Sequence, residues 1–465
     1  MKRREAFQLI PLTIAGITGG AKHAFSQRMP EHMPPPRPEP LFMGYNRKIT
    51  DMLTWIRETQ SENMLEASHI IARTIKNGGR CWRSWDMGHS TRYDSFPGRN
   101  GEPQLFTEGY DPKTAKKGDC FLASRWSGDQ QDLVKKEIVV IGSPVPWGGD
   151  AEGQELLRED VQQRKLRPYS SVWIDTRINT KGAVMYLPGM EAPFGPASGI
   201  IGLMIHWTIV ADACRILARD GLSVSVSGDE PKLSGDSVPW INLNDPLVDD
   251  YFDILMNQIE MIKAEYGDIR RIAGMAADAV LSGGKVWTYS RYTPSLPAEG
   301  QGRRGGMMLT RGLTYVDGEL KPYVETDTFE SSKDLVIMGV WKPDDEVDLK
   351  NLDTIRSKGM KVVSVGPMTR DMRVPGGRTV PKETDMHIGR MCDAYGLYAV
   401  PGFEQKVSPT SGALILQMFW STCMEIAEEI MNRTGNVPAI LLSGAIKTGN
   451  RHNMMMRAKY EKRGY

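Results

Sequence analysis

Two loops in the first half of the chain combine glycine with small hydroxyl residues. They are Trp85-Asp86-Met87-Gly88-His89-Ser90-Thr91 and Ala123-Ser124-Arg125-Trp126-Ser127-Gly128-Asp129-Gln130. Each follows a short apolar run and reads as a strand-to-helix turn. Backbone N–H groups, hydroxyls and a helix N-terminus converge at such a turn, an arrangement that suits an anion such as a phosphoryl group. Taken singly, each pattern is equally that of an ordinary helix N-cap. The seven histidines form no HxH, HExxH or Cys/His cluster, so no local metal site is indicated. No cofactor is indicated either: Gly300-Gln301-Gly302-Arg303-Arg304-Gly305-Gly306 lacks both the GxGxxG and the Walker spacing and reads as a loop. Met454-Met455-Met456 reads as a packed face of a terminal helix. The five cysteines, with no CxxC pair, read as reduced, buried packing residues.

The elements that must position these loops recur along the chain. Gly78-Gly79 falls on Gly283-Gly284 at an offset of 205. At that offset Met64, Ala67, Ile71 and Ile75 fall on Ile269, Ile272, Ala276 and Val280, a 3-4-4 spacing that makes one helical face. Each half therefore opens with an amphipathic helix stopped by Gly-Gly and followed by a strand. Lys117 to Leu122 matches Lys333 to Ile337 at 215, and Pro196-Ala197-Ser198-Gly199 with Trp207 matches Pro409-Thr410-Ser411-Gly412 with Trp420 at 213. The second half then predicts a strand at 334–339, a helix at 349–358, a strand at 361–365, a long helix at 409–432 and a strand at 438–442. Helices alternating with short buried strands imply a parallel sheet covered on both faces, with ligands at the carboxyl ends of the strands. The apolar stretch from Gly199 to Ala218 contains His206, Asp212 and Arg215 and reads as a core helix, so no membrane span is expected in the mature chain.

The Gly78-Gly79 turn, Gly88-His89-Ser90 and the Ser124-x-x-Ser127-Gly128-Asp129 loop resemble the two serine-rich phosphate loops of the sugar isomerase (SIS) domain. Glu404-Gln405-Lys406-Val407-Ser408-Pro409-Thr410-Ser411, Pro438 to Ser443 and Gly449-Asn450-Arg451-His452-Asn453 are similar to the closing motifs of small single-SIS-domain proteins, where a strand leads into a Gly-x-x-His-Asn turn. The resemblance runs from about Met64 to Asn453. It implies an α/β fold of two tandem flavodoxin-like, three-layer SIS domains with parallel sheets, related by internal duplication. It also implies a sugar or sugar phosphate as ligand, held by Gly88, Ser90, Ser124, Ser127, Gly128, Asp129, Ser198 and Ser411. Aldose–ketose isomerisation would use a Glu base and a His acid, drawn from Glu404 and Glu191 and from His89, His452 and His387. Trp126 and Gln130 depart from the family's loop, and the matching Val340-Trp341-Lys342-Pro343-Asp344-Asp345 has two carboxylates and no serine. The first half is thus the expected phosphate binder. The second half is expected to be structural, to complete the first site, or to bind an unphosphorylated sugar through Trp341 and the Asp pair. The alternative is a non-catalytic carbohydrate-binding or structural, oligomerising protein.

The 465 residues suffice for about two to three domains. With 58 Lys plus Arg against 57 Asp plus Glu, the net charge of +1 gives no bulk field for nucleic acid or anionic lipid. Lys2-Arg3-Arg4 ahead of a mildly apolar run resembles a twin-arginine export signal. The expected organisation is a signal at 1–28, a proline-rich linker at 29–45, a first SIS-like domain at 46–235, and a second at 236–465 with a basic C-terminal tail. The expected location is periplasmic or otherwise extracytoplasmic, with the cytoplasm as the alternative. Phosphosugars are mainly cytoplasmic, so export would favour a neutral or acidic sugar.

Overall fold

The computed structural model describes residues 39–83, 94–96, 98–107, 110–124, 130–144, 166–178, 183–190, 192–228, 230–235, 237–325, 327–329, 331–367, 377–389, 395–443 and 448–460. Helix α1 (Leu41–Lys76) opens directly after Pro40 and buries Tyr45, Ile49, Leu53, Ile56, Met64, Ala67 and Ile71 along one face. It stops where the sequence predicts: Gly78 has φ +72°, and the Gly79 N–H returns to the Thr74 carbonyl at 2.9 Å. Helix α5 (Tyr266–Leu281) ends alike, with Gly283 at φ +90° and Gly284 N–H on Ala279 O at 2.8 Å. A left-handed residue costs glycine nothing, which is why Gly-Gly ends both helices.

A strand follows each stop, and each strand lies inside a sheet. The first sheet contains β1 (Cys81–Arg83), β2 (Phe106–Thr107), β3 (Cys120–Ala123), β4 (Val139–Gly142) and β5 (Val172–Trp173), in the order β2-β1-β3-β4-β5, all parallel. A separate antiparallel hairpin, β6 (Ala183–Met185) with β7 (Phe194–Pro196), precedes the long helix α3 (Ser198–Arg219). The second sheet contains β8 (Val286–Ser290), β9 (Thr310–Val316), β10 (Glu319–Pro322), β11 (Leu335–Gly339), β12 (Lys361–Val365) and β13 (Met386–Ile388). Its order is β10-β9-β8-β11-β12-β13, parallel except for the edge hairpin β9-β10. Without β10 the two orders are the same, 2-1-3-4-5, the flavodoxin-like arrangement.

Alternation along the strands sorts the side chains into layers. Trp82, Phe121, Ala123 and Val140 face outward, where Leu133 of α2 (Gln130–Lys135) packs. Cys81, Leu122 and Ile141 face inward. In the second sheet Trp287, Val336, Met338 and Val362 face outward against Leu352 and Ile355 of α7 (Glu346–Ser357), while Val286, Ile337 and Val363 face inward. The inward faces meet a shared central layer of α1, α3, α4 (Val248–Ala264), α5 and α9 (Ser411–Thr434). The central core therefore belongs to both halves at once. Of the most apolar window in α3, 94% is buried, so this helix is the expected core element.

The two outward tryptophans are tied identically. Trp82 Nε1 donates to Asp119 Oδ2 at 2.9 Å while Arg80 N donates to Asp119 Oδ1. Trp287 Nε1 donates to Asp334 Oδ2 at 2.7 Å while Lys285 N donates to Asp334 Oδ1.

Other short helices are α6 (Ser295–Glu299), α8 (Val380–Glu383) and the C-terminal α10 (Gly449–Tyr460). Three expectations change here. The predicted strand at 438–442 is an extended segment outside the sheets, held to the 305–308 loop by Met308 N to Ala439 O at 2.9 Å and Leu441 N to Gly306 O at 2.9 Å. Gly449 to Asn453, expected as a turn, begins α10. Asn453 acts there as a surrogate strand, accepting from Leu442 N at 2.7 Å and donating to Leu442 O at 2.8 Å. The methionine run is not a packed face: Met454 and Met455 are 73% and 51% exposed. Cys81, Cys120, Cys214 and Cys423 are reduced and buried, as expected; Cys392 lies outside the described residues.

Candidate functional site

In a 2-1-3-4-5 sheet the strand order reverses beside the first strand, and the crevice at the carboxyl ends there is where ligands sit. In the second half this crevice is occupied by the chain's own side chains. Asp345 caps α7, accepting from Val347 N at 3.1 Å and Asp348 N at 3.0 Å, which is the place an anion would take at a helix N-terminus. Arg291 pairs with the same carboxylate, and Tyr292 donates to it at 2.9 Å. Trp341, expected as a stacking platform for a sugar, is buried and already in contact with two side chains of this chain. Tyr292 is stacked on one side at 5.1 Å, and the Arg99 guanidinium lies 4.6 Å from the ring centroid.

In the first half the equivalent crevice begins at Ser124, half-buried at the end of β3. Gly88, His89, Ser90, Ser127, Gly128, Asp129 and Glu191 lie outside the described residues.

The other predicted site residues fall in separate places. Glu404 is 71% exposed and pairs with Lys232 at 2.7 Å. His452 is held by the Ile440 carbonyl at 2.9 Å, and His387 by Ser364 Oγ at 2.8 Å. Ser198 and Ser411 are buried at the starts of α3 and α9, and each accepts from an arginine of the opposite half. Arg99 Nη2 donates to Ser411 Oγ at 3.2 Å, and Arg303 Nη2 donates to Ser198 Oγ at 2.8 Å. The backbone repeats the exchange: Ser408 N donates to Gly101 O at 3.1 Å, and Gly195 N donates to Gly305 O at 2.9 Å. Both donor residues have positive φ, +57° at Ser408 and +85° at Gly195. So the loop after the first strand of each sheet completes the helix start of the other half.

Around Arg99 lies a set of buried polar residues that the sequence reading did not single out. Arg83, at the end of β1, donates to Ser95 O at 2.6 Å and to Ser95 Oγ, and stands 3.6 Å from Glu102. Ser95 Oγ lies 2.8 Å from Glu102 Oε1 and 2.8 Å from His206 Nε2. A hydroxyl has one proton. With Glu102 ionised, Ser95 donates to it and His206 presents an N–H to the serine. This is not a nucleophilic triad, because the carboxylate binds the serine instead of orienting the imidazole. It is a proton-holding chain. Burial pushes Glu102 up to about 7, with Arg83 opposing, and pushes His206 below its ordinary value. Asp94, fully buried and 3.1 Å from Arg99, is pushed up by burial to about 6. A carboxyl titrating near neutrality is the kind suited to general acid–base work.

One signal for these residues was present in the sequence offsets. Asp94 falls on Glu299 at the 205 offset, and Arg99 on Arg303 within one residue of it.

Together, the doubled sheet order and the carboxyl-end crevices define a flavodoxin-like α/β protein with two strand-order switch points. No family model matches the chain, and no curated protein matches it. Among solved structures it is similar to a protein assigned as a phosphosugar isomerase from Silicibacter pomeroyi DSS-3, at 10% identity and a TM-score of 0.43, over 86% of this chain and 100% of that one. It is also similar to one assigned as a sugar binding protein from Salmonella typhimurium LT2, at 8% identity and a TM-score of 0.39, over 84% and 99%. Similarity at this level says nothing about ligand or reaction.

Proposed function

We propose that this chain is a SIS-type sugar or sugar-phosphate binding protein built from two copies of one flavodoxin-like unit. Its ligand is taken at the carboxyl ends of β1 and β3, through Ser124, Ser127, Gly128, Asp129 and the Gly88-His89-Ser90 loop. The observation that carries this reading is the internal occupancy of the second crevice. Asp345 fills the anion position there, whereas at the 215 offset its place is held in the first half by Gln130, a neutral residue. The repeated Trp–Asp bonds and the reciprocal Arg–Ser bonds support the duplication.

Aldose–ketose isomerisation is the reaction class a catalytic form would carry out, and Glu102, hydrogen-bonded to Ser95 and raised by burial to about 7, is one carboxyl able to carry a proton there. A binding role without catalysis is favoured by one observation: Glu404 is paired at the surface and His452 is bound to a carbonyl, so neither meets the other in a common crevice. Export by the twin-arginine route is part of the proposal. Buried, reduced Cys81, Cys120, Cys214 and Cys423 are compatible with a protein that is folded before it is moved.

The test is a thermal-shift screen of the protein against free sugars, sugar acids and sugar phosphates, repeated with Ser127→Ala. A ligand that binds the native state raises Tm by mass action. A phosphosugar shift lost in the variant supports the first-half site and calls for an isomerase assay. A shift from no sugar of any class overturns the reading. Cell fractionation of the full chain tests the location.

A further inference from the structure

The two halves place matching residues around matching helix starts, but only one set is internally complete. In the second half Glu299 Oε2 accepts from the indole N–H of Trp420 at 3.3 Å and also pairs with Arg303. In the first half the corresponding residues are Asp94 and Trp207. Asp94 is one methylene shorter, its Oδ2 is turned to Arg99 at 3.1 Å, and the same oxygen lies against Gly412 in the first turn of α9. The Trp207 indole N–H is left without a hydrogen-bond partner.

Four more buried atoms, on Arg99 itself and on residues that touch it or its loop, share that condition: Asp94 Oδ1, Arg99 Nε, Trp341 Nε1 and Ser408 Oγ. All five residues are essentially fully buried. They are also neighbours. The Arg99 guanidinium lies 5.3 Å from the Trp207 ring centroid and 4.6 Å from that of Trp341, and Ser408 bonds through its N–H to Gly101, two residues beyond Arg99. A buried polar atom without a partner is costly, so five grouped on Arg99 and the residues beside it mark a place to be satisfied by something else.

The chemistry of the atoms selects the class of ligand. Three N–H donors, one hydroxyl and one carboxylate oxygen call for a molecule that accepts several hydrogen bonds and donates at least one, which hydroxyl groups do. Arg99 is already neutralised by Asp94, so the set has no net charge to draw an anion, and a phosphate would face the Asp94 carboxylate. Arg99 lies over both indole rings and Tyr292 is stacked on Trp341, so it is the unpartnered N–H edges of the tryptophans that a ligand would use. We infer that the seam between the two halves, at the start of α9, is a second binding site for a small uncharged polyol, held by Asp94, Arg99, Trp207, Trp341 and Ser408. This site does not depend on phosphosugar binding by the first-half loops.

The test uses the full chain labelled with ¹⁵N at the tryptophan indoles. It is titrated with glycerol, xylitol and glucose, and separately with inorganic phosphate. Trp207→Phe and Trp341→Phe keep a ring in place, remove one N–H each, and assign the two indole resonances. The expected result is a saturable shift of these two resonances with at least one polyol and none with phosphate. Apparent affinity should fall about fivefold in each variant, the effect of one net hydrogen bond. Ser408→Ala, which leaves both indoles, should weaken binding by a similar factor and covers the case in which a tryptophan variant does not fold. Overturning results are unmoved indoles with every polyol, equal shifts with phosphate, or polyol affinity unchanged in all three variants. Ser127→Ala separates the two sites, because it should abolish a phosphosugar response and leave the polyol shifts intact.

Discussion

Replacing Glu102 by Gln should change how stability depends on pH, by an amount that can be worked from its surroundings. The carboxyl is buried between Ser95 and Arg83 and is pushed from 4.5 up to about 7. A raised carboxyl pKa means that the folded protein holds its proton more tightly than the unfolded chain does. The resulting stabilisation is fully present below pH 4.5 and is lost as pH rises through 7. Linkage puts the loss at about 1 kcal/mol by pH 5 and about 3 kcal/mol by pH 8. Gln cannot titrate, so the variant should gain about 2.5 kcal/mol on the native protein between those two pH values. Any fixed cost of removing the Arg83 partner cancels in that difference. Glu230, Asp348 and Glu425, also pushed up by burial to about 7, act alike in both proteins, while Asp94, at about 6, is relieved of its repulsion with Glu102 in the variant, which adds to the gain in the same direction. His206 works in the other direction: buried neutral, it lowers stability only as pH falls below 6.5. The assay is paired thermal melts at pH 5 and pH 8, and for a unit of this size the relative gain amounts to about 3 °C in Tm. A difference between variant and native protein that stays constant from pH 5 to pH 8 would refute the assignment of Glu102 as a buried, proton-holding carboxyl.

Arg99→Met should destabilise by about 3–5 kcal/mol, because it strands the Asp94 carboxylate in the core, and adding Asp94→Asn should recover much of the loss; denaturant melts of the double-mutant cycle measure this. Trp82→Phe and Trp287→Phe should each cost about 1 kcal/mol by removing the indole hydrogen bond to Asp119 or Asp334, a modest loss at Asp119 because its Oδ2 keeps the Lys116 N–H; denaturant melts measure both. Gly195→Ala should cost more than about 1 kcal/mol in the same melts, since φ is +85° and the new Cβ would meet Met424 Cε at 2.7 Å.

The parts of the fold that were legible in the sequence are those set by local rules. Gly78-Gly79 and Gly283-Gly284 stop their helices because the turn needs a left-handed residue, and that need is written in the residue type. The 3-4-4 spacing shared by Met64 and Ile269 found the buried faces of α1 and α5 for the same reason. The segment at 438–442 has the composition of a strand, but its partners are a loop and the Asn453 side chain. Pairing of that kind leaves no trace in local pattern. The cluster around Arg99 escaped for a related reason. Arg83, Asp94, Glu102 and His206 come from three different stretches of chain, and only packing joins them. Their types looked like solvent-facing charge, and burial is what alters their chemistry.

The crossed arginine–serine bonds also set a timetable for synthesis. Arg99 leaves the ribosome 312 residues ahead of Ser411, and the Leu41 N–H leaves 387 residues ahead of the Glu428 carboxylate that receives it. At about 5–20 residues per second, Arg99 waits roughly 15–60 s for its partner. Throughout that interval α1 can pack on the inner face of the first sheet, but the apolar face that α1 and α3 present to α9 stays uncovered. The central layer shared by the two halves is therefore completed only once Thr434, the last residue of α9, has been made.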